Sequence, residues 1–165
     1  MVKKNSNVVA ELDVIHQDTN FEMIKEFHRV FGRTPDPKTP TIPNDDSIRL
    51  RWSLIQEEMN EVFREMFYYE GEPKTNISLP KLAKELADLL YVVYGTGAAF
   101  GIDLDAVFLA VHESNMSKLD KNGKVIRRED GKVLKGPLYK EPNIEHVLEQ
   151  QVKIQDMIKK GKENI

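Results

Sequence analysis

Glu58 with Glu61, and Glu85 with Asp88, form two pairs of acidic residues, each pair three positions apart within a stretch of helical apolar periodicity. Residues three apart on a helix share a face. Each pair therefore projects two carboxylates the same way, and antiparallel packing of the two helices would let the four converge. Four converging negative charges repel unless a cation sits among them. An all-carboxylate cage suits hard ions such as Mg²⁺ or Mn²⁺ rather than Zn²⁺, whose sites favour His and Cys. The chain holds no cysteine, which removes disulfides, thiol catalysis and cysteine-ligated zinc together. That combination points to phosphate chemistry. A single acidic residue on a helix is ordinarily a solvated charge, but Asp88 lies in the row Leu86, Ala87, Asp88, Leu89, Leu90, where a solvated face would carry more polar residues. Glu57 adjoins Glu58 and reads as a further ligand, as a base that orients water, or as a surface residue.

A second group has the opposite character. Asn115 and Lys118 are again three apart and are flanked by Ser114 and Ser117. An amide beside an ammonium suits a polyphosphate, while a lysine near a helix C-terminus also answers the helix dipole. Lys132, Lys135 and Tyr139 could close over the same ligand or be ordinary surface residues, and Arg51 could hold a phosphate or pair with an acid. His28 reads as a half-buried core residue that could also face a base. Rival chemistries fail on inspection: no Glu is followed three residues later by His, as di-iron bundles require, no His-Asp dipeptide occurs, and no glycine-rich phosphate loop is present.

The elements that must position these groups are helical. A first helix starts at Asp18 or Thr19, carries Phe21, Ile24, Phe27, His28 and Phe31, and stops at Gly32. Four prolines between Thr34 and Asn44 demand an extended connection. The second helix runs from Asp45 or Asp46 to Tyr69 with the apolar stripe Ile48, Ile55, Met59, Val62, Phe63 and Met66, and Gly71 to Pro73 ends it. A third opens near Pro80 and is apolar nearly all round after Leu86, which makes it the central helix. Gly95, Gly97 and Gly101 read as close-packing positions, because their spacing is not that of a dinucleotide fingerprint. Asp103 caps a fourth helix that ends near Lys118, with Ala106, Val107, Ala110 and Val111 inward. Asn122-Gly123 and Glu129-Asp130-Gly131 predict turns and a small β-hairpin, and a last amphipathic helix spans Ile144 to about Lys159. The predicted class is all-α, with residues 1–17 an N-terminal arm and 18–165 one domain. With 24 basic against 27 acidic residues among 165, no global charge favours nucleic acid. The polar start lacks the apolar core of a signal peptide and no run approaches a membrane span, so the expectation is a cytoplasmic protein without membrane partners.

The run Glu57-Glu58-Met59-Asn60-Glu61 followed by Glu85-Leu86-Ala87-Asp88 resembles the Glu-Glu-x-x-Glu and Glu-x-x-Asp pair of the MazG-like all-α nucleoside triphosphate pyrophosphohydrolases. That family includes phosphoribosyl-ATP pyrophosphohydrolase and the dimeric dUTPases. Ser114-Asn115-Met116-Ser117-Lys118 and Gly131-Lys132-Val133-Leu134-Lys135-Gly136 resemble the phosphoribosyl-ATP pyrophosphohydrolase-like subgroup, so the similarity covers about Phe21 to Leu148. The resemblance implies a helical bundle that assembles as an obligate dimer or a dimer of dimers. It implies Mg²⁺, or Mn²⁺, held by Glu58, Glu61, Glu85 and Asp88, phosphates met by Asn115 and Lys118, and attack of a metal-activated water at the α-phosphorus to give a monophosphate and pyrophosphate. Phosphoribosyl-ATP, or a single nucleotide such as dUTP or dGTP, is the alternative substrate. A helical interaction module with structural metal is the alternative outside enzymes.

Overall fold

Thr19 opens the first helix as its side chain allows: Oγ1 accepts a hydrogen bond from the Glu22 N–H at 3.3 Å, and α1 runs Asn20–Phe31. Gly32 closes it with φ 61, its N–H donating to the His28 carbonyl, a left-handed cap that glycine adopts without steric cost. The computed structural model describes residues 19–32, 37–69, 72–73 and 76–163. The expected arm over 1–17, the alternative start at Asp18, residues 34–36 of the proline-rich connection and the stop signal at Gly71 lie outside them.

Asn44 caps α2, Asp45–Phe67, through a 2.9 Å hydrogen bond from the Ser47 N–H to Oδ1. The helix stops two residues before the expected Tyr69, because Tyr68 turns extended (φ −133, ψ 146). Tyr68–Tyr69 (β1) pairs antiparallel with Glu72–Pro73 (β2), in the register Tyr68 to Pro73 and Tyr69 to Glu72. Sequence periodicity does not anticipate this short pair, although aromatic residues favour extended backbone. It reverses the chain before α3, Leu79–Ala99, which has Pro80 in its first turn. Asp103 caps α4, Leu104–Met116, accepting from the Asp105 and Ala106 N–H groups. The last helix, α5, spans Ile144–Glu163, four residues beyond the expected end, with Lys160 and Lys162 in its last turn, where cations complement the dipole. Apart from β1 and β2, the named elements are helices.

Two compact units divide the chain, one of Met1–Pro37 and Thr41–Phe100, the other of Lys38–Pro40 and Gly101–Ile165. In the first, α3 packs against both α1 and α2, as expected of the central helix. The reason for a glycine at its heart is visible. A Cβ on Gly95 would lie 3.2 Å from Arg51 Nη1 and 3.4 Å from His28 Nε2, so the missing side chain gives room for a guanidinium from α2 and an imidazole from α1. Both are buried, at 7% and 6% exposure. Apolar burial is slight by comparison: among the described residues Ile24, Ala98 and Ala99 are the buried hydrophobics. The α2 stripe expected in the core is half open, with Met59 and Phe63 each 50% exposed, because α3 covers one side of it and the stripe is wider than one neighbour.

In the second unit α4 packs on α5. Between them Asp120 makes a tight turn, its Oδ1 accepting from the Asn122 and Lys124 N–H groups at 2.8 Å each, with Gly123 at φ 75. A second turn at Glu129–Gly131 brings Arg127 opposite Val133 as an isolated antiparallel bridge, with Arg128 N–H donating to Lys132 O and Leu134 N–H to Ile126 O. The hairpin expected from the sequence is reduced to that bridge and its two flanking hydrogen bonds. Continuous strands do not form around it, and the turn is closed by Asp130 Oδ1, which accepts from Arg128 Nε at 3.0 Å and from the Lys132 N–H at 3.1 Å.

Candidate active site

Glu58 and Glu61 project from α2, Glu85 and Asp88 from α3, and reversal of the chain through β1 and β2 brings the two helices together. One carboxylate oxygen from each of Glu58, Glu61 and Glu85 lies within 4.8 Å of the others. All four of the predicted acids are half-buried, whereas Glu57 is exposed. The carboxyl of Glu58 is pushed above its ordinary range, first by partial burial and then by the charges of Glu61, Asp88 and Glu57, with Lys84 pulling the other way. The first unit therefore holds a carboxylate group whose negative charge is not fully compensated.

The donor set fits a hard divalent cation. Carboxylate oxygens coordinate Mg²⁺ or Ca²⁺-like ions at roughly 2.0–2.6 Å, so two ligands on opposite sides of one ion stand about 4–5 Å apart. The spacing of the three glutamates matches that scale. No imidazole or thiolate is among the residues of the cluster, which disfavours zinc.

One residue that sequence reasoning missed lies against three of these acids. The Lys84 ammonium lies 2.8 Å from Asp88 Oδ2, 3.0 Å from Glu85 Oε2 and 4.0 Å from Glu61 Oε2. Hydrogen bonds to Asp88 and then Glu85 hold it above the usual lysine range. A signal was present, since Lys84 precedes Asp88 by four residues and four-apart opposite charges meet on a helix. Arg51 differs from its expected place among phosphate ligands in one respect: it is buried beside Gly95 and His28, and burial lowers its pKa. His28 is buried in the helical core rather than half-buried.

The basic group lies in the second unit. Lys118 Nζ donates to Asn115 Oδ1 at 2.6 Å, so the amide and ammonium do stand side by side. Ser114 and Ser117 act as latches: Ser114 Oγ donates to Lys140 O at 2.8 Å, and Ser117 Oγ accepts from Lys140 N–H at 2.8 Å. They tie the end of α4 to the segment that precedes α5. Lys135 Nζ sits 4.1 Å from the centre of the Tyr139 ring and 3.3 Å from Glu141, and these two partners raise its pKa. Lys132 is exposed. Gly136 holds this segment to the helix end, its N–H donating to Lys118 O at 3.1 Å; a Cβ there would come within 2.7 Å of the Lys118 and Leu119 carbonyl oxygens.

Among the described residues, no single helix is long and apolar enough to cross a membrane. A protein of Acanthamoeba polyphaga mimivirus named "Uncharacterized protein L479" is 31% identical over 108 residues, a stretch that covers 64% of this chain and 38% of that protein. A crystal structure from Exiguobacterium sp. 255-15, provisionally named an NTP pyrophosphohydrolase, aligns over 87% of this chain and 99% of its own at 23% identity and a TM-score of 0.41. The sequence profile of phosphoribosyl-ATP pyrophosphohydrolase matches residues 24–115, a span that contains all four acids of the cluster and Asn115. On that match, which takes in more than half of its length, the chain belongs to the phosphoribosyl-ATP pyrophosphohydrolase family, within the MazG-like all-α pyrophosphohydrolases.

Proposed function

We propose that this protein hydrolyses (deoxy)nucleoside triphosphates to the monophosphate and pyrophosphate, with Mg²⁺ or Mn²⁺ held by Glu58, Glu61, Glu85 and Asp88. The observation that carries the proposal is the convergence of three glutamate oxygens from two helices within 4.8 Å. A bound divalent ion supplies a water of lowered pKa and neutralises charge on the phosphoryl oxygens. Glu57, exposed next to Glu58, would orient that water or accept its proton. Asn115 and Lys118 take the role of phosphate ligands, with Lys132, Lys135 and Tyr139 as further contacts, because polyphosphate carries more charge than one metal site compensates. Arg51 fills space that a side chain at Gly95 would otherwise take, and any phosphate contact of its own would draw on a buried guanidinium.

The family match favours phosphoribosyl-ATP as the second reading of substrate. A second copy of this chain is the partner that suits the half-open stripe of α2 and the exposed Leu86 and Leu90 of α3, since a soluble monomer rarely leaves so large an apolar face bare. Light scattering should return a dimer or tetramer mass.

The test is pyrophosphate release from common and damaged (d)NTPs and from phosphoribosyl-ATP, with Mg²⁺ or chelator, for the native chain and Glu58→Gln. Release that needs Mg²⁺ and is lost in the variant supports the reading, and the substrate ranking names the role. No release from any substrate by a well-folded chain would overturn it in favour of a non-catalytic metal-binding module.

A further inference from the structure

The carboxylate cluster already has a cation of its own. Lys84 Nζ contacts Asp88 at 2.8 Å and Glu85 at 3.0 Å and lies 4.0 Å from Glu61, three of the four acids assigned to metal. Two of these, Glu61 and Glu85, also belong to the trio whose oxygens converge within 4.8 Å. An ammonium and a divalent ion cannot both lie against the same carboxylates without strong repulsion, because like charges a few ångströms apart interact by several RT even at a high effective dielectric constant. The lysine side chain is 62% exposed, so it has an open path away from the cluster. Its stem is flexible and its head is a point charge with no fixed fork, which suits a contact that must be given up.

We propose that Lys84 is a built-in counter-ion that competes with the divalent metal, holding the carboxylates together without metal and setting the concentration at which the site fills. This rests on the metal reading above. Lys84 is thus a positioning residue: it stabilises the acid cluster by offsetting part of its charge and leaves when a better cation arrives. The three contacts explain why acids drawn from two helices can stand close together despite their mutual repulsion. An ordinary surface ion pair would engage one carboxylate, whereas Lys84 spans both helices.

The test is calorimetric titration of the full chain with Mn²⁺ at low ionic strength, comparing native protein with Lys84→Met, Lys84→Arg and Lys81→Met. Lys81 is exposed one turn earlier on the same helix and controls for general loss of positive charge. The expected result is about three- to tenfold tighter Mn²⁺ binding for Lys84→Met, the scale of exposed ion pairs acting together. Lys84→Arg, which keeps the charge and adds a carboxylate-matching fork, should bind Mn²⁺ no more tightly than the native chain, and Lys81→Met should change affinity by less than about twofold. Without metal, Lys84→Met should also melt lower than the native chain, and Mn²⁺ should raise its melting temperature by more. Unchanged or weaker binding in Lys84→Met, or an equal gain in Lys81→Met, overturns the counter-ion role while native binding leaves the metal site standing. Absence of Mn²⁺ binding in every form overturns both.

Discussion

The acidic region of α2 and α3 and the basic region after α4 carry comparable numbers of functional candidates, yet they are built on different principles. The acids stand on two long helices at three-residue spacing, so each pair is aligned by backbone geometry alone. The basic residues sit at a helix end and on a looped segment held by side-chain latches, by the close approach of Gly136 and by one bridged pair. Rigid elements place groups to a fraction of an ångström at little cost, while a loop depends on each tie that holds it. The alignment of each acidic pair is therefore intrinsic to its helix, with one helix–helix packing left to bring the pairs together, whereas the phosphate end of the proposed chemistry is contingent on several separate ties.

Substitution in each region should separate the two. The largest effect is expected from Glu61→Gln or Asp88→Asn, which should lower kcat by about a hundredfold or more with the helical content unchanged, as circular dichroism would check. Equal activity in either variant would remove the rigid region from the chemistry. Next comes Gly136→Ala, whose added carbon meets two backbone carbonyl oxygens that cannot rotate away. It should destabilise the looped region by about 1–3 kcal/mol in urea unfolding. An equal cost for Gly95→Ala would blur the comparison, since there the crowded atoms end flexible side chains and the gain in helix propensity of about 1 kcal/mol offsets them.

A smaller change is expected for Lys118→Ala, about tenfold in kcat/KM, carried mainly by KM because it removes one phosphate contact. The smallest concerns charge. Glu58 in the folded protein holds its proton more tightly than in the unfolded chain, so its neutral form stabilises the fold at low pH and that contribution is lost as pH rises through its folded pKa. Without metal, Glu58→Gln should then raise the melting temperature by roughly 1–3 °C at neutral pH and by nothing below the ordinary glutamate range. Mg²⁺ should reverse the order, stabilising the native chain alone. Thermal melts across pH, with and without Mg²⁺, check both halves.

Legibility follows the same division. Helix starts at Thr19, Asp45 and Asp103, and the one near Pro80, are readable because capping and first-turn proline preference are local chemistry. The end of α2 falls two residues short of its sequence expectation, since Tyr68 could continue the helix or pair with Pro73 and only the partner segment settles that choice. Lys84 escapes a sequence reading because on paper it is a surface lysine, and its significance lies in reaching Glu61 on another helix. Ser114 and Ser117 draw attention as neighbours of Asn115 and Lys118, but the carbonyl and N–H of Lys140 engage them from more than twenty residues away.

What the sequence by itself determined was the helical class, the pairing of Glu58 with Glu61 and of Glu85 with Asp88 on shared faces, and the absence of thiol chemistry. These follow from the helical repeat and from composition, which act over a few residues. The tertiary structure decided that the pairs converge, that Lys84 lies among them, that Arg51 and His28 turn inward over Gly95, and that Gly136 pins the loop to the end of α4. Each of those outcomes depends on two segments distant in sequence meeting at van der Waals or hydrogen-bond range, and that approach is set by packing of the whole unit and not by the residues on either side.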